Sequence, residues 1–303
     1  MEKLQAAIQK AREKRESAGA ADPTQLTGGR APTVVAKDKD PSNGTRPLDG
    51  STPSGSSQMA EEDGQILDAR WHDLSELSMT TRQASRNRLF LEGATIEGAY
   101  FDKLRTKVLQ QCRDNGWRRV LITSATKSCG KTTIASNLAA SFGRQSDRRV
   151  ILLELDMRRP GMTKLFRHSP DCGLSDILEG NDDFSGCAVR LGANVAIAMN
   201  REPHPNPSEL LLRDRTPEIL AEIEANYAPD LVIFDTPPLL ATDDTLALLK
   251  YTDCALIVAA AEKTTTHEID TVEKEIAEQT NVMGVILNQC VYMDRTDSYY
   301  HYR

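Results

Sequence analysis

The sequence predicts an α/β protein: a mostly parallel sheet with helices on both faces, preceded by an N-terminal helix and a disordered linker. Three observations carry this. Short, fully apolar runs recur at Val120–Ile122, Val150–Leu153, Val195–Ile197, Leu231–Phe234, Ala255–Val258 and Val285–Leu287. Runs of four or so apolar residues without alternation suit strands buried on both faces. Most are separated by helical periodicity, and two of them end in acidic residues.

The 303 residues suit one large or two small domains. Hydrophobic residues at 39% and charged residues at 27% are ordinary for a soluble protein, and nowhere do eighteen apolar residues run together. A formal charge of −7 argues against a general nucleic-acid surface, which would need Lys and Arg to neutralise phosphates. The opening residues are polar and lack the apolar core and small-residue cleavage site expected of a secretory signal. The six cysteines form no C-x-x-C pair and have no zinc-spaced histidines, so reduced thiols packed as small apolar side chains are expected.

In chain order, residues 1–17 carry Leu4, Ala7, Ile8 and Ala11 at helical spacing, a short amphipathic helix that needs something to pack on. Residues 18–64 turn to Gly, Pro, Ser, Thr, Asp and Lys with no aromatic residue, the composition of a disordered tether. Residues 65–291 form the expected main domain. Within it, 65–90 are ambiguous, but Trp71, Leu74, Leu77 and Leu89-Phe90-Leu91 suggest pieces that pack on the remainder of the domain. Residues 97–115 and 131–143 read as helices. Residues 292–303 form a tail.

Strand 119–123 runs into Ala125-Thr-Lys-Ser-Cys-Gly-Lys-Thr132, which fits G-x-x-x-x-G-K-[ST] except at its first position. Strand, loop and helix in that order are the setting of a P-loop NTPase fold, where backbone N–H groups and a helix N-terminus cradle phosphate. Ala125, Thr126, Lys127, Ser128, Cys129, Gly130, Lys131, Thr132 and Thr133 are therefore the candidate nucleotide-binding residues. Lys131 would reach the β and γ oxygens of ATP, and Thr132 would offer its hydroxyl to Mg²⁺. Cys129, just ahead of the helix, is in a setting that can lower a thiol pKa, although incidental occupancy is the commoner reason for a cysteine there.

Asp235 follows the apolar run 231–234, and Glu154 and Asp156 follow 150–153, so three carboxylates reach the carboxyl edge where α/β sheets bind ligands. Glu154, Asp156 and Asp235 join Thr132 as the candidate Mg²⁺ set. Lys131, Asp156 and Asp235 are the candidate catalytic residues, Asp156 as acceptor of a substrate proton. Arg158 could stabilise charge or form a structural salt bridge.

These segments resemble the bacterial tyrosine kinases, cytoplasmic P-loop autokinases of capsule and exopolysaccharide assembly. The resemblance covers about residues 87–303 and rests on Ser124–Thr132, on Leu-Leu-Glu-Leu-Asp-Met-Arg-Arg-Pro at 152–160 and on Asp-Thr-Pro-Pro at 235–238. Supporting pieces are 173–180, 206–211 and 104–106. It implies ATP and Mg²⁺ as cofactors, Asn288 at the adenine, and a separate membrane-bound polysaccharide co-polymerase as activator. It also implies self-association and a place at the inner membrane's cytoplasmic side. The departures are Lys127, Ser128 and Cys129 where the family has Pro, Gly and Glu, and Glu154 where it has Asp. Of the family's Glu-x-x-Arg-x-x-Arg contact motif only Arg105 is kept, with Ala99 and Asp102 at the other positions.

Independently of any family, four of the seven tyrosines, Tyr292, Tyr299, Tyr300 and Tyr302, crowd into the last twelve residues among Asp294, Arg295, Asp297 and Ser298. Phenols on a polar tail are good phosphoacceptors, and the resemblance implies the same. Two rivals remain: a partition or cell-division ATPase, weakened because the extra lysine such proteins carry falls at Thr126, and a nucleotide-regulated adaptor, motivated by Ser128, Cys129 and Glu154.

Overall fold

A computed structural model describes residues 54–93 and 95–290, with side chains described from Gly64 onward. The expected helix 1–17, the tether up to residue 53 and the four tail tyrosines lie outside the described residues.

The described chain runs α1 (Ser54–Asp73), β1 (Ser75–Glu76), α2 (Thr81–Arg86), α3 (Ile96–Asn115), β2 (Arg119–Thr123), α4 (Lys131–Phe142) and β3 (Val150–Glu154). It continues with α5 (Met162–Phe166), α6 (Leu174–Glu179), α7 (Phe184–Cys187), β4 (Val189–Leu191), β5 (Val195–Ala198), α8 (Pro207–Leu211) and α9 (Arg215–Tyr227). Then come β6 (Leu231–Asp235), α10 (Asp244–Leu249), β7 (Cys254–Ala260), α11 (Thr266–Ala277) and β8 (Asn281–Asn288). The strands form one sheet in the order β1-β4-β5-β3-β6-β2-β7-β8, parallel throughout except for the β4–β5 pair.

Alternation along the strands divides the core in two. Leu121, Ile151, Leu153, Phe234 and Ile257 pack on one face with α9 and α11. Val120, Ile122, Leu152, Ile233 and Val258 pack on the other with α3 and α4. Helices thus cover both faces, as the uninterrupted apolar runs predict. The helix that follows the phosphate loop is fixed by Ile134, Leu138 and fully buried Phe142, so the loop is mounted on a rigid element. The β4–β5 hairpin was not predicted, because three-residue β4 is too short to leave a pattern.

The ambiguous segment after residue 65 clasps the domain. Buried Trp71 donates its indole N–H to the Tyr227 carbonyl at 2.9 Å, and with Leu74 it joins one core. Leu77, Ala84 and Leu89 join the other, with β1 crossing the sheet edge between them. Asn137 on α4 pins this segment by accepting from the Phe90 N–H and donating to the Arg88 carbonyl, each at 2.8 Å. Helix α1 starts at Ser54, inside the stretch expected to be a tether. Its Trp71 end is anchored on α9, and the polar Ser54–Asp73 sequence has neither the proline nor the apolar stripe that would signal helix stop or start.

The cysteines also depart from expectation. Cys172 and Cys187 form a disulfide with Cα atoms 5.0 Å apart, where reduced thiols were expected throughout. The pair escapes a spacing rule because α6 and its turns bring the two ends of a 15-residue separation together. Cys112, Cys129 and Cys254 are buried thiols and Cys290 is exposed. Among the described residues no helix is long and apolar enough to cross a membrane.

Candidate active site

The phosphate loop joins β2 to α4, and its backbone has two positive φ angles, 65° at Ser128 and 90° at Gly130. Gly130 is required twice over: its φ favours glycine, and a Cβ there would lie 2.3 Å from the Asn288 amide nitrogen. Ala125, at the motif's first position, is fully buried without strain. Among the described residues, no backbone N–H from Thr126 to Thr133 donates to a backbone carbonyl outside the helix ladder. These donors converge at the N-terminus of α4, and such a nest suits a polyphosphate.

The loop is tied from behind. Asn288 Nδ2 donates to the Cys129 carbonyl and Gln289 Nε2 to the Ser128 carbonyl, each at 2.8 Å. Ser124 Oγ donates to the Thr126 carbonyl at 2.6 Å. Asn288, expected at the adenine, thus spends its amide N–H on the loop itself. Cys129 is buried, with its thiol 3.2 Å from the Thr126 carbonyl. Burial pushes that thiol up, but hydrogen bonds from Thr126, Thr264 and Ser124 outweigh burial and hold it below its ordinary value. It is a packed part of the loop wall.

Glu154 and Asp235 end β3 and β6 as direct register partners, and both are fully buried. Glu154 is satisfied: Oε1 accepts the Gly161 and Met162 N–H groups at 2.6 and 2.7 Å, and Oε2 accepts the Asn200 N–H at 2.8 Å. Burial still pushes its pKa up to about 7. Backbone N–H groups thus engage both oxygens of this member of the expected cation set, and Glu154 holds the turn before α5.

Asp235 is the opposite case. Neither carboxylate oxygen has a hydrogen-bond partner. Burial pushes its pKa up to about 8, while the Lys131 ammonium and the nearby Thr132 hydroxyl, close without bonding geometry, pull the other way. A buried carboxylate with no donor is costly unless a cation or donor completes it. With Thr132 beside it, this donor set fits Mg²⁺.

Asp156 follows β3, its N–H donating to the Asp235 carbonyl at 3.0 Å. Burial raises its pKa, against Lys131 and the Arg159 N–H. Lys131 is only 6% exposed and faces both Asp156 and Asp235. The structure therefore brings Lys131, Thr132, Asp156 and Asp235 together. Arg158 turns away into a salt bridge, 2.7 Å from fully buried Asp244, and also donates to Ser208. Sequence reading missed Asn200, Asp244 and Gln289; Asn200 and Gln289 each lie just beyond a strand, at the same sheet edge that Asp235 reaches as the last residue of β6, and that position was the available signal.

Arg105 is folded inward, bonded to Asp102 and to the Ser141 hydroxyl at 3.0 Å each, with Arg144 also on Asp102. A cavity of about 470 Å³ near Arg70, Phe184, Arg215 and Tyr227 shares no residue with the phosphate loop.

No protein-family profile matches the chain. The tyrosine-protein kinase etk of Escherichia coli (strain K12) is 36% identical over 171 residues, 56% of this chain and 23% of that protein. The putative tyrosine-protein kinase AmsA of Erwinia amylovora is 35% identical over 191 residues, 62% of this chain and 26% of that protein. The chain thus spans about a quarter of the length of these curated relatives. Among solved structures, the kinase domain of Escherichia coli tyrosine kinase ETK superposes with a TM-score of 0.57 at 34% identity, covering 66% of this chain and 78% of that one. The VpsO kinase domain gives 0.56 at 27% identity, covering 62% and 93%. With the phosphate loop and acidic strand ends built as described, the chain belongs to the bacterial tyrosine kinase family.

Proposed function

We propose that this protein is an ATP-dependent protein-tyrosine autokinase that transfers the γ-phosphoryl of MgATP to Tyr292, Tyr299, Tyr300 and Tyr302 at its own C-terminus. The single observation that carries the reading is the unsatisfied, fully buried Asp235 beside Lys131 and Thr132, at the mouth of a loop of undonated N–H groups. MgATP, when bound, supplies the transferable phosphoryl group with its charge partly neutralised.

The loop N–H groups orient the phosphates, and Lys131 offsets charge that builds on the leaving oxygens. Thr132 and Asp235 would hold the cation, with Asp156 nearby. The incoming phenol gives its proton to Asp156, whose raised pKa makes it a better base than an exposed aspartate.

For the wider role we infer control of capsule or exopolysaccharide polymerisation and export, at the cytoplasmic face of the inner membrane, in concert with a membrane-bound polysaccharide co-polymerase. Self-association would bring a tail to a neighbour's site. Each phosphotyrosine adds about −1.5 to −2, so four add about −6 to −8 to the formal −7 and repel the tail from the acidic site. Purified protein incubated with MgATP, followed by mass spectrometry of the C-terminal peptide, tests this, with Lys131→Met as control. Phosphate on the tail only in the unmutated protein supports it; ADP release with a bare tail points to an ATPase instead.

A further inference from the structure

We propose that Cys172 and Cys187 are a reversible thiol–disulfide pair whose oxidation state sets the order of the acidic strand end at the phosphate site. Other cysteines of the same chain are free, including buried Cys112, Cys129 and Cys254 and exposed Cys290. Oxidation here is therefore selective. The disulfide closes the segment that carries α6, and both ends of α6 are tied to the site.

At its start, the Leu174 N–H donates to the Met199 carbonyl at 3.1 Å and the Ser175 N–H to Asn200 Oδ1 at 2.9 Å. Asn200 in turn holds Glu154 twice, giving its N–H to Oε2 at 2.8 Å and its Nδ2 to the Glu154 carbonyl at 2.7 Å. At its end, Glu179 meets His204 Nε2 at 3.1 Å, and the His204 N–H donates to the Met157 carbonyl at 2.9 Å. The staple thus lies two hydrogen bonds from Glu154, and Met157 adjoins Asp156. Releasing it lets α6 move against Asn200, and Glu154 then loses the anchor that orders 156–162.

Cys172 is partly exposed and Cys187 only 2% exposed, so exchange starts at Cys172. Its thiolate attacks a low-molecular-weight disulfide such as glutathione disulfide, forming a mixed disulfide and expelling one small thiolate. The Cys187 thiolate then attacks Cys172 Sγ and expels the second. Two electrons pass from the protein to the small disulfide, and the two cysteine protons end on the two small thiols. An Asp182 carboxylate oxygen lies within 4.8 Å of both sulfurs.

The test uses the full chain with Cys290→Ser, which removes the exposed thiol, equilibrated in glutathione buffers from reducing to oxidising. Three readouts are taken: the Cys172–Cys187 peptide in a non-reducing digest, hydrogen exchange over 156–162 without nucleotide, and MgADP affinity. The expected result is reversible interconversion, faster exchange over 156–162 on reduction, and MgADP binding weakened by about 3- to 10-fold. Cys172→Ser/Cys187→Ser should match the reduced state in every buffer; if that variant fails to fold, reduction of the parent protein carries the test. A pair that never oxidises, or exchange and affinity that are equal in both states, would overturn the proposal. So would a reduced pair that retains zinc through Cys172, Cys187 and Asp182 and resists reoxidation. Absence of MgADP binding in both states would instead count against the kinase reading, leaving the thiol and exchange readouts to judge this one.

Discussion

Glu154 and Asp235 stand side by side at the ends of β3 and β6, equally buried and with pKa values raised by the same cause, yet their surroundings are opposite. Three backbone N–H groups close around Glu154, and none reaches Asp235. Burial alone therefore does not assign a role to a strand-end acid. Satisfaction separates them: the paired carboxylate builds the turn, and the bare one keeps both oxygens open to a donor or cation.

Substitution at the bare acid should give the largest effect. Asp235→Asn is expected to lower phosphoryl transfer by about 100- to 1,000-fold, as Lys131→Met should. The same change should stabilise the metal-free protein by about 1–3 kcal/mol at pH 9, since it removes a buried unpaired charge. Thermal melts with and without MgADP check both signs; an Asp235→Asn protein that is less stable without metal and still transfers phosphate would erase the contrast.

Glu154→Gln should behave the other way. It places an amide NH₂ among N–H donors and should cost about 1–3 kcal/mol of stability, while transfer falls less than tenfold. Denaturant titration beside a tail-phosphorylation assay separates the two effects.

The pH profile sharpens the same comparison. Both groups titrate higher folded than unfolded, so the folded state binds more protons between about pH 4 and the folded values near 7 and 8. Their contribution is present in full below the unfolded pKa and is lost as pH rises through that window. Metal-free stability should therefore fall from about pH 5 to pH 8, with Asp235→Asn flattening the decline. A flat profile in the parent protein would mean that neither acid is protonated when folded.

The smallest effect on transfer is expected for Arg158→Ala, which removes the ion pair of buried Asp244 but touches neither acid directly. It should cost about 3 kcal/mol of stability and change transfer only a few-fold, read from the same melts and assays.

The sheet, the phosphate loop and the acidic strand ends were legible because each rests on local pattern: apolar runs, a motif at fixed spacing, and an acid directly after an apolar run. The different fates of Glu154 and Asp235 were not, because Gly161, Met162 and Asn200 come from other segments and act through backbone N–H groups that no side-chain pattern encodes. The same holds for Cys172 and Cys187, joined by the path of α6, and for Trp71, whose partner Tyr227 is 156 residues away. Arg105 reads as a contact residue in sequence, whereas Asp102 and Ser141 claim it within its own chain.

Gln289 and Asn288 grip the rear of the phosphate loop, and the residues leading to the tyrosines begin immediately after them. The last strand is therefore a brace for the phosphate loop as well as a sheet edge: two amides at its end fix the loop's rear carbonyls, so a displacement of β8 is felt by the loop's curvature.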